Sequence, residues 1–146
     1  MNIFEELRAD HDVQRELIAE LVETTGDSEE RAALFDRIVD ELRNHAAAEE
    51  RHFYAPLMET SLTQDKARHS IHEHEVLDEL VEKLESYDRG APAWLETAGQ
   101  LEHKLTHHLD EEEQEVFQLA GKALTDQQKA DLASSYRSMM SDPAKA

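Results

Sequence analysis

Apolar residues recur at intervals of three and four along almost the whole chain, and strict alternation of apolar and polar residues is nowhere sustained. The first spacing places side chains on one face of an α-helix, whereas alternation would place them on one face of a strand. The chain also has only four glycines and three prolines, which is few for a fold rich in tight turns. We therefore predict an all-α protein.

Turn and capping residues divide this pattern into five predicted helices. The signals are Gly26 after the first helix, an Asp27-x-x-Glu30 capping box and Pro56 around the second, Thr63 before the third, Pro92 and Gly121 around the fourth, and a Thr125-x-x-Gln128 capping box before the fifth. Short connections favour antiparallel neighbours, so we predict an up-down-up-down four-helix bundle over about residues 3–120. A short fifth helix, about residues 126–140, is expected to pack across one end, and the tail from Ser141 to Ala146 to fray. We expect one domain over residues 1–146.

Charge and composition exclude several classes of function. The chain has 15 Lys and Arg against 34 Asp and Glu, a formal net charge of −19, so neither nucleic acid nor an anionic membrane surface is expected as a partner. It has no cysteine, which excludes disulfides, iron–sulfur clusters and thiolate zinc sites. No signal peptide or membrane-spanning run is readable, so we expect a cytoplasmic protein. A Gly-rich phosphate loop and a nucleophile elbow are also missing from the sequence.

Histidines occupy positions in the predicted helices where apolar side chains would be expected. The chain has nine of them, and each of the four long helices carries at least one on its apolar stripe. On the second and fourth helices a glutamate follows one turn later on the same face. The six inward polar residues are His11, His45, Glu49, His74, His108 and Glu112.

A single inward histidine is more often a hydrogen-bonded core residue than a metal ligand, but six inward polar groups together are costly. An unpaired buried polar group costs about 1–3 kcal/mol and a buried carboxylate costs several, against a net stability of about 5–15 kcal/mol. A pair of metal ions would satisfy the carboxylates and the imidazoles at once. Imidazole and carboxylate without thiolate suit iron, manganese or zinc, of which we favour iron.

The motifs that contain these residues resemble the hemerythrin family, and specifically its hemerythrin-like HHE cation-binding domains. They lie one on each helix between residues 10 and 117: Ala-Asp-His-Asp around His11, His45-Ala-Ala-Ala-Glu49-Glu50 followed by Arg-His-Phe-Tyr-Ala-Pro-Leu, Glu73-His74-Glu75, and His107-His108-Leu-Asp-Glu-Glu112. The resemblance implies a non-haem di-iron centre in a four-helix bundle. The four inward histidines would be terminal ligands, and Glu49 and Glu112 would bridge the two irons together with an oxo or hydroxo group. Glu113 is a lesser candidate for the second bridge.

The sequence departs from oxygen-carrying hemerythrins on the third helix. Those proteins have His-x-x-x-His there, whereas Ser70 stands four residues before His74. The place of the missing imidazole could be taken by water, by another side chain, or by His69 in a distorted helix. Among the remaining candidates, Tyr54 has a poor helical angle for reaching the site and His52 is expected near the helix end. His72 faces away from the site, and His103 and His107 are expected at the surface.

The missing imidazole also bears on the predicted function. An iron that lacks one ligand exchanges other ligands readily, which favours redox turnover over storage of O2. We therefore expect decomposition of hydrogen peroxide, as a catalase performs it. The alternatives are a module that binds or senses O2 or nitric oxide without turnover, and an iron-handling protein in which the metals mainly stabilise the bundle. The sequence does not decide the oligomeric state.

Overall fold

Five α-helices account for most of the chain in a computed structural model, which describes residues 1–141. The helices are α1 (Ile3–Val22), α2 (Glu29–Glu49), α3 (Gln64–Ser86), α4 (Pro92–Glu111) and α5 (Asp126–Ser141). No strand occurs in the described residues, so the prediction of an all-α fold is confirmed. Fraying is predicted for the tail from Ser141 onward. Ser141 is the last residue of α5, and residues 142–146 lie outside the described part of the chain.

Two of the helices continue beyond their regular portions through a π-helical turn. Helix α2 passes through a π turn over Glu50–Tyr54 into a short helical segment, Ala55–Leu57, and α4 passes through a π turn over Glu112–Val116 into a helical segment, Phe117–Ala123. In each π turn the backbone N–H of one residue bonds to the carbonyl five residues earlier. Such turns change which side chains share a helical face.

The turn and capping residues predict some helix ends correctly and others incorrectly. Gly26 has a φ of 59°, the left-handed conformation expected after α1, and the capping box of Thr125 and Gln128 forms as predicted. The capping box at Asp27 was wrong, because Ser28 caps α2 and the Asp27 carboxylate accepts a hydrogen bond from Arg89. Helix α4 also continues past Gly121, since the segment after its π turn ends at Ala123.

Helix α1 packs against α2, α4 and α5, and α3 packs mainly against α4. The result is a helical bundle, in which an up-down-up-down order of the long helices stays a prediction. Two apolar clusters fill the interior. One contains Leu17, Ile38, Val81 and Leu101, and the other contains Leu7, Phe53, Phe117 and Tyr136. Each fully buried aliphatic or aromatic side chain contributes about 1.5–3 kcal/mol to folding.

The polar residues singled out in the sequence lie between the two apolar clusters. On α1, for example, Leu7 belongs to one cluster and Leu17 to the other, with His11 between them. The bundle therefore holds a layer of polar side chains within an apolar interior.

No helix within residues 1–141 combines the length and the apolar character that a membrane crossing demands.

Candidate metal centre

The structure brings all six predicted site residues together. They come from four helices, and each is at most 8% exposed: His11 from α1, His45 and Glu49 from α2, His74 from α3, and His108 and Glu112 at the end of α4. Their placement follows from the helical period, which puts each of them in line with apolar residues one turn away.

The two carboxylates lie at the centre of this group. Glu112 directs Oε1 to within 3.2 Å of the Nε2 atom of His11, and Oε2 to within 3.6 Å of the Nε2 atom of His108. Glu49 places Oε1 3.1 Å from Nε2 of His74 and 3.4 Å from Nε2 of His45, with Oε2 3.9 Å from His11. Each carboxylate therefore spans between imidazoles of different helices.

Two overlapping sets of ligand atoms result, and they share Glu49. One set contains Glu49, His74, His108 and Glu112, the other contains His11, His45 and Glu49, and the atoms within each set lie within 4.8 Å of one another. Nitrogen and oxygen donors converging at this separation can hold a cation. The arrangement has room for an ion in each set, with Glu49 belonging to both.

Most of these inward atoms lack a hydrogen-bond partner. Although several are close to one another, the alignment of a hydrogen bond is missing for all four histidine Nε2 atoms, both oxygens of Glu49 and Oε1 of Glu112. A buried polar atom without a partner costs about 1–3 kcal/mol, and more if it is charged. So many unpartnered ligand atoms in one place fit a bound cation and do not fit an ordinary core.

Each imidazole is held from behind by a second polar group. The Nδ1 atoms make contacts of 2.6–2.8 Å: His11 with Glu113, His45 with the Tyr136 hydroxyl, His74 with Glu50, and His108 with Glu73. A hydrogen bond at Nδ1 fixes the ring orientation and directs Nε2 inward, as in metal sites generally. Glu113, the lesser candidate for a bridge, instead lies behind His11, where it also pairs with Arg15.

The Tyr136 contact reaches the site from α5. This side chain is fully buried, and its hydroxyl donates to Asp10 Oδ2 at 2.5 Å while accepting from the Nδ1 of His45. Arg137 in turn donates to Asp10 at 3.1 Å. No pattern in the sequence indicates this role, because the apolar stripe of α5 identifies Tyr136 only as a residue that packs on the bundle.

Protonated imidazoles balance the buried carboxylates where no metal is bound. Burial lowers the pKa of His11, but the nearby carboxylates of Glu112 and Glu113 outweigh it and raise the pKa to about 10. For His74, Glu49 and Glu50 overcome burial in the same way and raise the pKa to about 10. Burial and the Glu49 carboxylate raise the pKa of Glu112. The site therefore attracts positive charge, whether as protons or as a metal cation.

Tyr54 corrects the expectation drawn from its helical angle. Glu49 comes five residues before Tyr54, so in a regular helix the two side chains would point about 140° apart around the helix axis. The π turn between them brings residues five apart into line, so Tyr54 is fully buried and its hydroxyl donates to Oε2 of Glu112. Ser70 is buried and lies near the Tyr54 phenol. Another side chain, Tyr54, thus lies beside the position of the missing imidazole.

The remaining histidines lie outside this layer. His69 is 51% exposed and contacts Glu73 and Glu111, with which it forms a separate group at the surface. It does not swing into the interior. Three other histidines are exposed as expected: His72, His103 and His107. His52 is half-buried in the middle of the π turn over Glu50–Tyr54.

A helical bundle whose buried layer consists of histidines and glutamates defines a metal-binding helical protein. The family model of the hemerythrin HHE cation-binding domain matches residues 2–120, so the chain belongs to this family. No curated protein sequence matches the chain. Among solved structures, a hemerythrin HHE cation-binding domain-containing protein from Mycobacterium kansasii is similar, with 25% identity and a TM-score of 0.87. The alignment covers 97% of this chain and 86% of that one.

Proposed function

We propose that the centre holds two iron ions and decomposes hydrogen peroxide to O2 and water. The observation that supports it is the convergence of unpartnered histidine and glutamate atoms between two apolar clusters. His11 and His45 would hold one ion, and His74 and His108 the other. Glu49 and Glu112 would bridge the two, with an oxo or hydroxo group completing the bridge.

Iron is proposed because the donors are imidazole and carboxylate, with no thiolate in the chain. Manganese and zinc accept the same donors. Elemental analysis of the purified protein separates the three, and two irons per chain are expected. One ion per chain, or none, would contradict the assignment of Glu49 and Glu112 as bridges.

When bound, iron supplies the reversible change of oxidation state that peroxide decomposition requires. The protein contributes orientation and protons. Tyr54 carries a hydroxyl proton directed at Glu112, and burial raises the pKa of this phenol. The phenol therefore stays protonated near neutral pH and can donate its proton to a more basic oxygen of the substrate.

The test is oxygen evolution from added peroxide by the iron-loaded protein, with the same concentration of free iron as reference. We expect the protein to exceed free iron clearly, and Tyr54→Phe to lower the rate while keeping the iron content. Tyr87→Phe is the matched control, because Tyr87 is 40% exposed and follows the last residue of α3, about three and a half helical turns beyond His74. A rate for the native protein no higher than that of free iron would refute the peroxide function.

A second candidate is reversible binding of O2 or nitric oxide without turnover. The apolar walls of the cavity that reaches the site between α2 and α3 favour it, because a neutral diatomic gas partitions readily into such a space. An absorption band that appears with O2 and disappears under vacuum would support this function. Storage or handling of iron would show no chemistry with these small molecules. All three functions predict a large loss of thermal stability on chelation, so reactivity separates them.

A further inference from the structure

A cavity of about 620 Å³ separates α2 from α3 and runs from the surface to the metal-site residues. The two helices make few contacts with each other along this stretch. At its inner end the cavity is lined by His45, His74 and His108, three of the candidate ligands. Pockets that bind organic ligands occupy about 300–1,000 Å³, whereas one water molecule takes about 30 Å³. Hydrogen peroxide or O2 alone does not require a space of this size.

The walls and the mouth of the cavity differ in character. The walls are apolar, formed by Leu42, Ala46, Leu77, Val81 and Leu105. Acidic residues dominate the mouth: the acids that line the cavity are Glu50, Glu75, Asp78 and Glu79. Arg43 is the one Lys or Arg that lines it, and its guanidinium is already paired with Asp78 and Glu85. Together with the net charge of −19, this mouth disfavours anions and admits neutral molecules.

Gln14 supplies a polar group at the inner end. It lines the same cavity, its side chain is 1% exposed, and its amide nitrogen has no hydrogen-bond partner within residues 1–141. Gln14 lies one turn after His11 on α1, which places the amide beside the imidazoles. A buried N–H group without an acceptor is stabilised by a ligand that brings one.

We infer that this cavity binds a neutral organic hydroperoxide, whose alkyl or aryl body lies between α2 and α3 and whose oxygens face Gln14 and the imidazoles. The inference rests on the proposed reaction of the centre with peroxides, and it concerns the binding step, for which it names the class of peroxide. The apolar walls contact the organic body, the amide of Gln14 donates to an oxygen, and the acidic mouth excludes carboxylate-bearing analogues.

Calorimetry with cumyl alcohol tests the binding step. This alcohol has the body of cumene hydroperoxide and one accepting oxygen, and it undergoes no redox reaction. We expect the metal-loaded protein to bind it at one saturable site, and to bind an analogue with a carboxylate in place of the hydroxyl at least tenfold more weakly. Absence of saturable binding, or equal affinity for the anion, would overturn the inference.

Two variants locate the bound alcohol. Ala46→Phe fills the cavity and should weaken binding at least tenfold, whereas Ala33→Phe, at an exposed position on the same helix, should not change it. Gln14→Leu should weaken binding about five- to tenfold, the net contribution of one hydrogen bond. Metal content and melting temperature show whether each variant keeps its fold. Unchanged affinity in both Ala46→Phe and Gln14→Leu would place the alcohol elsewhere and contradict the inference.

The Glu41 carboxylate is the alternative acceptor to which the Gln14 amide could donate instead of to a ligand. Burial raises the pKa of Glu41, and the Gln14 amide lies close enough to oppose this rise, although no aligned hydrogen bond joins the two side chains and Oε1 of Glu41 is buried without a partner. If Gln14 acts on the ligand, Gln14→Leu weakens alcohol binding equally in the native and the Glu41→Gln backgrounds, whereas loss of the effect in the second background would refute this role of Gln14. Alcohol binding is measured without peroxide, so a failure of peroxide decomposition is a separate result.

Discussion

The contact between Tyr136 and His45 yields the sharpest prediction about the metal centre. Tyr136→Phe removes a single hydroxyl that accepts from Nδ1 of His45 at 2.6 Å and donates to Asp10 at 2.5 Å. The aromatic ring and its packing remain. The family model ends at residue 120, so α5 lies outside it and yet positions a candidate ligand. The substitution therefore asks whether α5 is part of the site.

The expected magnitude follows from what the hydroxyl does. Loss of a hydrogen bond behind a metal-bound imidazole weakens metal binding about 10- to 100-fold, which is about 1.4–2.7 kcal/mol. His45 belongs to the ligand set of His11 and Glu49, whereas His74 and His108 keep their own partners, Glu50 and Glu73. The loss should therefore fall on one of the two ions, and a competing chelator should remove that ion first.

The assay is a chelator competition followed by elemental analysis, with Tyr87→Phe as the matched control. Tyr87 is 40% exposed and follows the last residue of α3, at the end of this helix remote from His74. Melting curves of the metal-free proteins show whether Tyr136→Phe alters the bundle itself. Equal affinity for both ions in the native and Tyr136→Phe proteins would refute the claim that α5 orients His45.

Three further predictions concern the bridge, the charge of the site and the far end of the bundle. Glu112→Ala should lose both ions by elemental analysis because a bridge holds both, whereas the exposed His103→Ala should keep them, and equal losses would refute the assignment. Two buried imidazoles, those of His11 and His74, have a pKa raised to about 10 against about 6.5 unfolded, so the stability that they contribute is lost as the pH rises between these values. The melting temperature of the metal-free protein should therefore fall from about pH 6.5 toward pH 10, and a rise would contradict this. Arg31→Met leaves the carbonyls of Thr24 and Arg89 without their hydrogen bonds from the guanidinium. It should lower the free energy of unfolding by at least about 2 kcal/mol, or the melting temperature by about 4 °C, without loss of metal. The exposed Arg37→Met should change the melting temperature little.

The inward residues could be predicted from the sequence because the helical period alone determines which face they occupy. His45 and Glu49 share a stripe with Ile38 and Leu42, and neither needs any tertiary information to be placed there. The groups behind the imidazoles could not be predicted in this way. Tyr136 reaches His45 only because of how α5 packs against α1 and α2, and the sequence of α5 does not contain that orientation.

Cap positions show a similar limit on a smaller scale. Asp27 and Ser28 are both good N-cap residues, and each can accept from an N–H in the first turn. The choice between them depends on Arg89, which donates to the Asp27 carboxylate from the connection before α4 and leaves Ser28 to cap α2. A distant partner decides a local feature, so local propensity alone assigned the wrong residue.

The π turns explain why the register argument succeeded for the glutamates and failed for Tyr54. Both turns begin at or directly after an inward glutamate: one follows Glu49 and the other starts at Glu112. Up to that point each helix keeps the regular period, so the prediction of inward carboxylates holds. Beyond it the i to i+5 bonding changes the face, and Tyr54 reaches the carboxylate of Glu112. Because π turns occur frequently at functional sites, their position next to both proposed bridges is independent support for a function at this layer.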